Sequence, residues 1–245
     1  MNQTIEVPAA DPAQHPYRWA MLFGVWLIYS AFGLTISALA PMVGPITRDL
    51  GLSHGAMGTV LGAWPFIYIG AAVPCGILLD RIGARRALLL AALIMAASGL
   101  CRAMAVDHLT MFLAVGIFGF GGPLISIGAP KIIAEWFEGK ERGLAMGIYI
   151  TGPAIGGILS LSLTNAVVLP FHDGDWRMVV LDYAAITAAA GLIWLLIAQH
   201  PEARAREMAE KAAPKRPQLE IFRELMANPV VRVILAMSVG IFFFN

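Results

Sequence analysis

Charge is scarce in this sequence. Only 13% of its 245 residues are Asp, Glu, Lys or Arg, about half the share of an ordinary soluble domain, while 58% are hydrophobic. Apolar blocks this long, broken by short polar loops, exclude a disordered chain and argue against one water-soluble core. The net charge is +1, so there is no basic field to hold polyanions, and nucleic acid is excluded as a partner. Cysteine is sparse too: Cys75 and Cys101 make no disulfide framework, have no zinc-ligand spacing, and read as small packing residues. Catalytic motifs are missing. There is no His-Glu-x-x-His and no Gly-x-x-x-x-Gly-Lys-Ser/Thr, and Leu124 breaks a Gly-x-Ser-x-Gly elbow around Ser126. The histidines (His15, His54, His108, His172, His200) stand in loops or at block ends, which makes a pair of axial haem ligands within a membrane implausible. The chain therefore reads as a non-enzyme that takes no cofactor or metal.

What is present is a series of apolar blocks. The first runs without a charge from Trp19 to Thr47, too long and too poorly flanked for a cleaved secretory signal. A hydrocarbon core of about 30 Å needs about 20 helical residues, and this block supplies them with some to spare. Further blocks at Gly55–Leu79, Ala87–Ala105, Leu109–Ala134, Gly143–Val168 and Met178–Gln199 make six complete spans. None has the polar stripe of a surface helix. The fold class expected is an all-α polytopic membrane protein with the lipid bilayer as its solvent. Four segments follow: a tail over 1–18, a six-helix bundle over 19–199, a linker over 200–228 rich in Ala, Glu, Lys and Pro, and the start of a truncated seventh span over 229–245.

Basic loops stay in the cytoplasm, and their placement sets the orientation. With the N-terminus inside, Arg81, Arg85, Arg86, Lys140 and Arg142 fall in cytoplasmic loops, and the linker adds Arg204, Arg206, Lys211, Lys215, Arg216 and Arg223. Arg18, Lys131 and Arg232 lie near cytoplasmic ends, against Arg48, Arg102 and Arg177 outside. An inner or plasma membrane location is expected. A weak repeat relates the two halves of the bundle: an offset of 89 places Ala129-Pro130 on Ala40-Pro41 and Gly147 on Gly58. Because the first span runs outward and the fourth inward, the repeat would be inverted, as in many secondary transporters.

The loop between the second and third spans reads Gly76-Ile77-Leu78-Leu79-Asp80-Arg81-Ile82-Gly83-Ala84-Arg85-Arg86. It resembles the signature of the major facilitator superfamily: a Gly, three residues, Asp-Arg, one residue, Gly, one residue and two basic residues. Physically, Gly76 would let another helix approach, Gly83 can take a positive φ, and Asp80 stands at a membrane edge where a carboxylate favours a helix N-terminus. In the fifth span, Gly152-Pro153-Ala154-Ile155-Gly156-Gly157 is similar to the core of the family's antiporter motif. There, Pro153 and the small faces of Gly143, Gly147, Gly152 and Gly156 give a helix that can bend and pack closely. Glu135-Trp136-Phe137 with Glu141-Arg142-Gly143, and Asp175-Trp176-Arg177, are similar to connections common in the same family. The fourth and fifth spans look most like cyanate and nitroimidazole transporter relatives. Phe112–Gly122 lacks the Arg that many proton-coupled members carry.

The resemblance implies the N-terminal six-helix half of a transporter, a 3+3 inverted repeat, working by alternating access on a small solute with an anion among the candidates. It implies as partners a coupling proton or ion and a second, C-terminal half, whose helix Asp80 would meet in the outward-open state. Two alternatives stay open: a drug or metabolite efflux antiporter, and a non-transporting six-span sensor or channel-like half-protein. In the family the first and fourth spans line the cavity, so Tyr29, Thr35, Ser126 and Lys131 are the substrate-contact candidates. Trp64 and Tyr68 read as core or lipid-facing aromatics. Arg102 and Asp182 are the buried-charge candidates within apolar blocks: Arg102 and Lys131 lie late in their spans and are expected to snorkel to the interface, and Asp182 to pair with a cation near the outer mouth.

Overall fold

The computed structural model describes residues 16–201, 203–204, 226–233 and 237. The chain divides into two units, Met1–Glu207 and Met208–Asn245. In the second, residues 226–227 and 229–233 are helical; residues 1–15, most of the expected linker and most of the expected seventh span lie outside the described residues. The first unit contains α1 (Tyr17–Ser37), α2 (Val43–Asp49), α3 (His54–Ile82), α4 (Ala84–Ala103), α5 (His108–Trp136), α6 (Gly139–Leu163), α7 (Leu169–Phe171) and α8 (Trp176–Ala198). Among the described residues six helical stretches are long and apolar enough to cross a bilayer, and their bounds lie within a few residues of the expected blocks.

Two spans are interrupted. A 3₁₀ turn at Ala40–Met42 separates α1 from α2, at Pro41, which has no N–H to donate to the ladder. A π turn at Thr164–Val168 leads from α6 into the short α7 around Pro170. The ends are set by local chemistry. Ser53 accepts from the Ala56 N–H at 3.1 Å at the start of α3. Asp107 and Thr110 form a reciprocal capping box at the start of α5, and Thr110, chiefly through its backbone N–H, holds the Asp107 carboxyl below its usual range. Gly83 alone joins α3 to α4, with φ 89°, a conformation that a Cβ would strain.

The packing has an internal symmetry. α1 packs on α6 and α8, α5 packs on α3 and α4, and α4 packs on α8. Exchanging α1 with α5, α3 with α6 and α4 with α8 maps these contacts onto themselves, as the inverted repeat predicts. α4 and α8 thus sit together at the back, α1 and α5 in the middle, and α3 and α6 on the flanks with at most marginal contact between them. The core has a larger part around Leu79, Leu88, Met95, Phe118, Trp136 and Trp194. A smaller part surrounds Met42, Ile46, Met57, Met111, Trp176 and Val179.

The α1–α6 contact is made backbone to backbone. A Cβ on Gly156 would fall on the Ser30 carbonyl and lie 2.7 Å from the Leu34 nitrogen, and one on Gly33 would fall on the Pro153 carbonyl. The matching α3–α5 seam uses Gly119, whose Cβ would lie 2.6 Å from the Trp64 oxygen, and Gly122, whose Cβ would lie 2.6 Å from the Tyr68 ring. Gly147, by contrast, has no atom within 4 Å of its Cβ position. We expect Gly156→Ala to cost about 2 kcal/mol or more through overpacking against backbone and Gly147→Ala to stay within about 1 kcal/mol of the parent. Thermal unfolding of the two purified variants in mild detergent checks the contrast, and equal losses would contradict it.

Candidate functional site

Between the flanking helices, each of α1, α3, α5 and α6 contributes a hydroxyl-bearing side chain to one cleft. Tyr29 on α1 stacks on Tyr149 of α6 with ring centroids 5.7 Å apart. Ser126 on α5 and Tyr68 on α3 lie close beside Tyr29. Tyr68 lies over Gly122 and meets Trp64 edge to face. Beneath them Phe32 stacks on Phe118, with centroids 5.2 Å apart. Tyr29, Tyr68 and Ser126 are half-buried and Tyr149 is nearly closed off, so the cleft presents aromatic edges with polar tips. The structure brings the predicted Tyr29 and Ser126 together. It adds Tyr149, which sequence reasoning missed, and places Tyr68 here as well. The signal was a hydroxyl-bearing aromatic in mid-span, but its direction depends on which neighbours the helix acquires.

Thr35 turns away from this cleft. It is 3% exposed, and its hydroxyl donates to the Ala31 carbonyl and meets Thr187 Oγ1 on α8 at 3.1 Å. Beside it lies Arg102, for which the expectation of snorkelling is corrected: the side chain is 2% exposed and buried inside the bundle. Its Nη1 donates to the Thr35 carbonyl at 3.2 Å, and its guanidinium carbon sits 5.2 Å from the centre of the Phe118 ring. Nε has no acceptor. No carboxylate among the described residues forms an ion pair with it, so a positive charge stands behind the aromatic floor. The reason it stays inside is positional. The last turn of α1 offers its negative end and a free carbonyl lone pair, and Phe118 offers a ring face.

On the side that carries the basic loops, the switch-loop residues divide. Asp80 and Arg81 end α3, Gly83 makes the link, and Arg85 and Arg86 open α4. Asp80 Oδ1 lies 3.4 Å from Lys131 Nζ on α5, joining two residues singled out for different reasons and giving Lys131 a partner rather than only the interface. Gly76 is not sterically required within this bundle, since a Cβ there would sit 3.7 Å from Ile127, an ordinary contact. Nearby, Arg18 Nη1 pairs with Glu141 Oε2 at 2.9 Å, tying the start of α1 to the start of α6.

In α6, Gly152 and Gly156 face α1, and a Cβ on Gly157 would lie 3.1 Å from Ser37 Oγ. Pro153 supplies the carbonyl against Gly33. Gly143 and Gly147 look into open space, so the small-residue run splits into a packed face and an unpartnered one. At the opposite end of the bundle, Asp182 Oδ2 meets His172 Nε2 at 2.6 Å, an imidazole that is a cation only when protonated. Arg177 pairs instead with Asp49, which also accepts from Trp176 Nε1 at 3.2 Å, and donates to the Ala105 carbonyl at 2.9 Å. That tie among the first, third and sixth spans rests on Asp49, which the sequence reading did not single out.

Six spans with internal two-fold packing, and a cleft lined from four of them, define a membrane-embedded carrier rather than an enzyme. Comparison with known proteins gives the family. The Major Facilitator Superfamily model matches residues 25–245, and the chain belongs to that family. It is 27% identical over 186 residues to a galacturonate transporter of Dickeya chrysanthemi, covering 76% of this chain and 53% of that protein. It is 31% identical over 172 residues to a probable L-galactonate transporter of Escherichia coli K12, covering 67% of this chain and 36% of the relative. A nitrate/nitrite transporter of Nostoc punctiforme is 27% identical over 183 residues, covering 72% and 36%. The chain thus spans about half or less of the length of these relatives. In fold it matches the bacterial homologue of the human lysosomal transporter Spinster, inward-facing and unoccupied, with TM-score 0.69 and 20% identity over 89% of this chain and 50% of that one. The family's members and these relatives are transporters, and the chain is an integral membrane protein.

The Asp80–Lys131 pair is 48% and 29% exposed at its two side chains, and exposed pairs contribute at most about 1 kcal/mol. Asp80→Asn and Lys131→Met should each shift unfolding by no more than about 1 kcal/mol, with no further loss in the double variant. A loss of several kcal/mol in either single variant would make the pair a structural tie rather than an exchangeable one.

Proposed function

We propose that this chain is the N-terminal six-helix half of a secondary transporter that carries a small organic anion of the acid-sugar kind across the cytoplasmic membrane by alternating access. Tyr29, Tyr68, Ser126 and Tyr149 bind the solute's hydroxyls. Arg102, from behind Phe118, sets the sign of charge the cleft accepts. The observation that carries the reading is the burial of this guanidinium: among the described residues it has one hydrogen-bond acceptor and no carboxylate partner, which favours an anion nearby over a cation or a neutral solute. The names of the relatives support the same class, and shift the expectation from cyanate-like solutes toward sugar acids.

The rest of the proposal follows from what the bundle leaves uncovered. Phe66, Ile69 and Val73 on α3 are 72%, 69% and 73% exposed. On α6, Ile150 and Ile158 are also exposed, and nothing lies within 4 Å of the Cβ positions of Gly143 and Gly147. A second six-helix half would cover these flanks and close the cleft, joined through a cytoplasmic linker over 200–228. The N-terminus and the basic loops at Arg81–Arg86 and Lys140–Arg142 are then cytoplasmic. The switch loop acts through weak contacts. Asp80 exchanges Lys131 for a helix end of the second half as the two halves rock, and a coupling proton or ion drives the cycle by symport or antiport.

Counterflow in proteoliposomes of the complete transporter tests this. Galacturonate uptake should saturate, neutral galactose should fail to compete, and Arg102→Met should lower uptake by about tenfold or more. The fold of that variant should be retained, because an apolar replacement of a buried charge is often neutral or stabilising. Equal competition by galactose, or flux that rises linearly with solute, would overturn the proposal.

A further inference from the structure

At the end of the bundle opposite the basic loops, the flank helix α6 is joined to the back helix α8 through the π turn at Thr164–Val168, the short α7 and a link over residues 172–175. The exchange that relates the two halves of the bundle sets this link against Gly83, the one-residue link between α3 and α4 at the other end. Both links turn on left-handed backbone: Gly83 has φ 89°, and Asp173 and Gly174 have φ 52° and 87°. The Gly174 N–H donates to the Leu169 carbonyl at 2.9 Å, and the Asp175 N–H to the His172 carbonyl at 2.9 Å. The backbone on both sides of His172 is thereby fixed.

Side chains make the tie between this segment and α8, since their backbones approach each other only marginally. Val168 and Leu169 rest on the part of the core that holds Trp176, Val179 and Tyr183. Two polar contacts add to that packing. Thr164 Oγ1, buried, meets the Tyr183 hydroxyl at 2.7 Å, and His172 Nε2 meets Asp182 Oδ2 at 2.6 Å. Two hydroxyls do not change charge near neutral pH, whereas an imidazole does. The His172 and Asp182 side chains are 14% and 45% exposed, which leaves the pair open to protons from the adjoining solution. Among the described residues, the charged and titratable groups on the neighbouring elements are Asp173 and Asp175 in the link, Arg177, Asp182 and Tyr183 on α8, and Arg48 and Asp49 on α2, which shares a surface hollow with the link. Arg177 is engaged by Asp49 and the Ala105 carbonyl, and Asp175 accepts from the Arg177 N–H. Asp182 is the carboxylate bonded to the imidazole.

We infer that the His172–Asp182 pair is a protonation-sensitive latch between the π-turn end of the α6 flank and α8. With the imidazole protonated the contact is an ion pair reinforced by a hydrogen bond, and with it neutral only the hydrogen bond remains. The tie therefore tightens as the pH of the adjoining solution falls through the imidazole range, and slackens as it rises. The π turn beside it, a local widening often found at functional sites, is where the flank bends when the latch opens. The latch rests on the fold; that it faces the outer solution rests on the orientation proposed above. In that orientation, acid outside holds the outer end of α6, the helix that carries Tyr149, against the back of the bundle.

Hydrogen–deuterium exchange of the full chain in mild detergent tests it, reading backbone protection and not transport. After correction for the intrinsic pH dependence of exchange, amides of residues 164–175 should be about threefold better protected at about pH 5.5 than at about pH 8, a modest change because the carboxylate is partly exposed. His172→Gln keeps a donor that does not titrate, and Asp182→Asn removes the charge that the imidazolium meets; each should abolish the difference. His108→Gln alters a histidine at the same end of the bundle but away from the link, and should leave it intact. Equal protection at the two pH values, a difference that survives in the His172 or Asp182 variant, or its loss in the His108 variant would overturn the latch.

Discussion

Lipid supplies little hydrophobic force between helices, so a membrane bundle holds together through close van der Waals approach. In this protein that approach is made at glycines: backbone meets backbone at Gly33 and Gly156 between α1 and α6 and at Gly119 between α5 and α3, and Gly122 of α5 takes the Tyr68 ring of α3. Because each middle helix is fastened tightly to one flank, the flanks are held apart from each other. The cleft between them is a consequence of the seams. Tyr29 and Tyr149 stack across one seam, and Tyr68 lies on Gly122 across the other, so the same glycines that set helix distance also aim the rings of the candidate site.

Electrostatics then distributes roles along the bundle axis. At the basic end the pairs are partly exposed, as with Asp80 and Lys131. At the far end Asp49 gathers Trp176 and Arg177, while Arg177 also holds the Ala105 carbonyl. In between stands Arg102, whose burial inside an apolar bundle is costly unless the charge is used. A body that is firm along its seams, partly exposed in its ties at one end and charged within fits the proposed rocking around an anion.

Spans, their number and the carrier family were legible in the sequence because apolar block length and the Asp-Arg loop report them directly. Gly83 was legible in part: the loop motif marked it as able to take a positive φ, which it has, while the one-residue length of the link was not foreseen. What was not legible depended on rotation about helix axes. Blocks that are apolar all round carry no stripe to say which way Thr35, Tyr68 or Tyr149 points; Thr35 turned inward to Thr187, and the two tyrosines turned to the cleft. Arg102 failed as an expectation for a related reason. Its position near a span end permitted snorkelling, but the end of α1 and the Phe118 ring offered a nearer environment. Gly76 and Gly147 looked like packing glycines, yet within this bundle neither is needed for close approach.

The central claim is that α1, α3, α5 and α6 enclose the solute path while α4 and α8 face lipid. Thiol labelling of the protein in its membrane tests it most directly. With Cys75 and Cys101 changed to Ser, Tyr68→Cys and Leu196→Cys each place one thiol on opposite faces of the bundle. The account predicts that a membrane-impermeant reagent labels position 68, that galacturonate slows this labelling, and that position 196 stays silent. Labelling of position 196 as fast as position 68, or none at position 68, would contradict it.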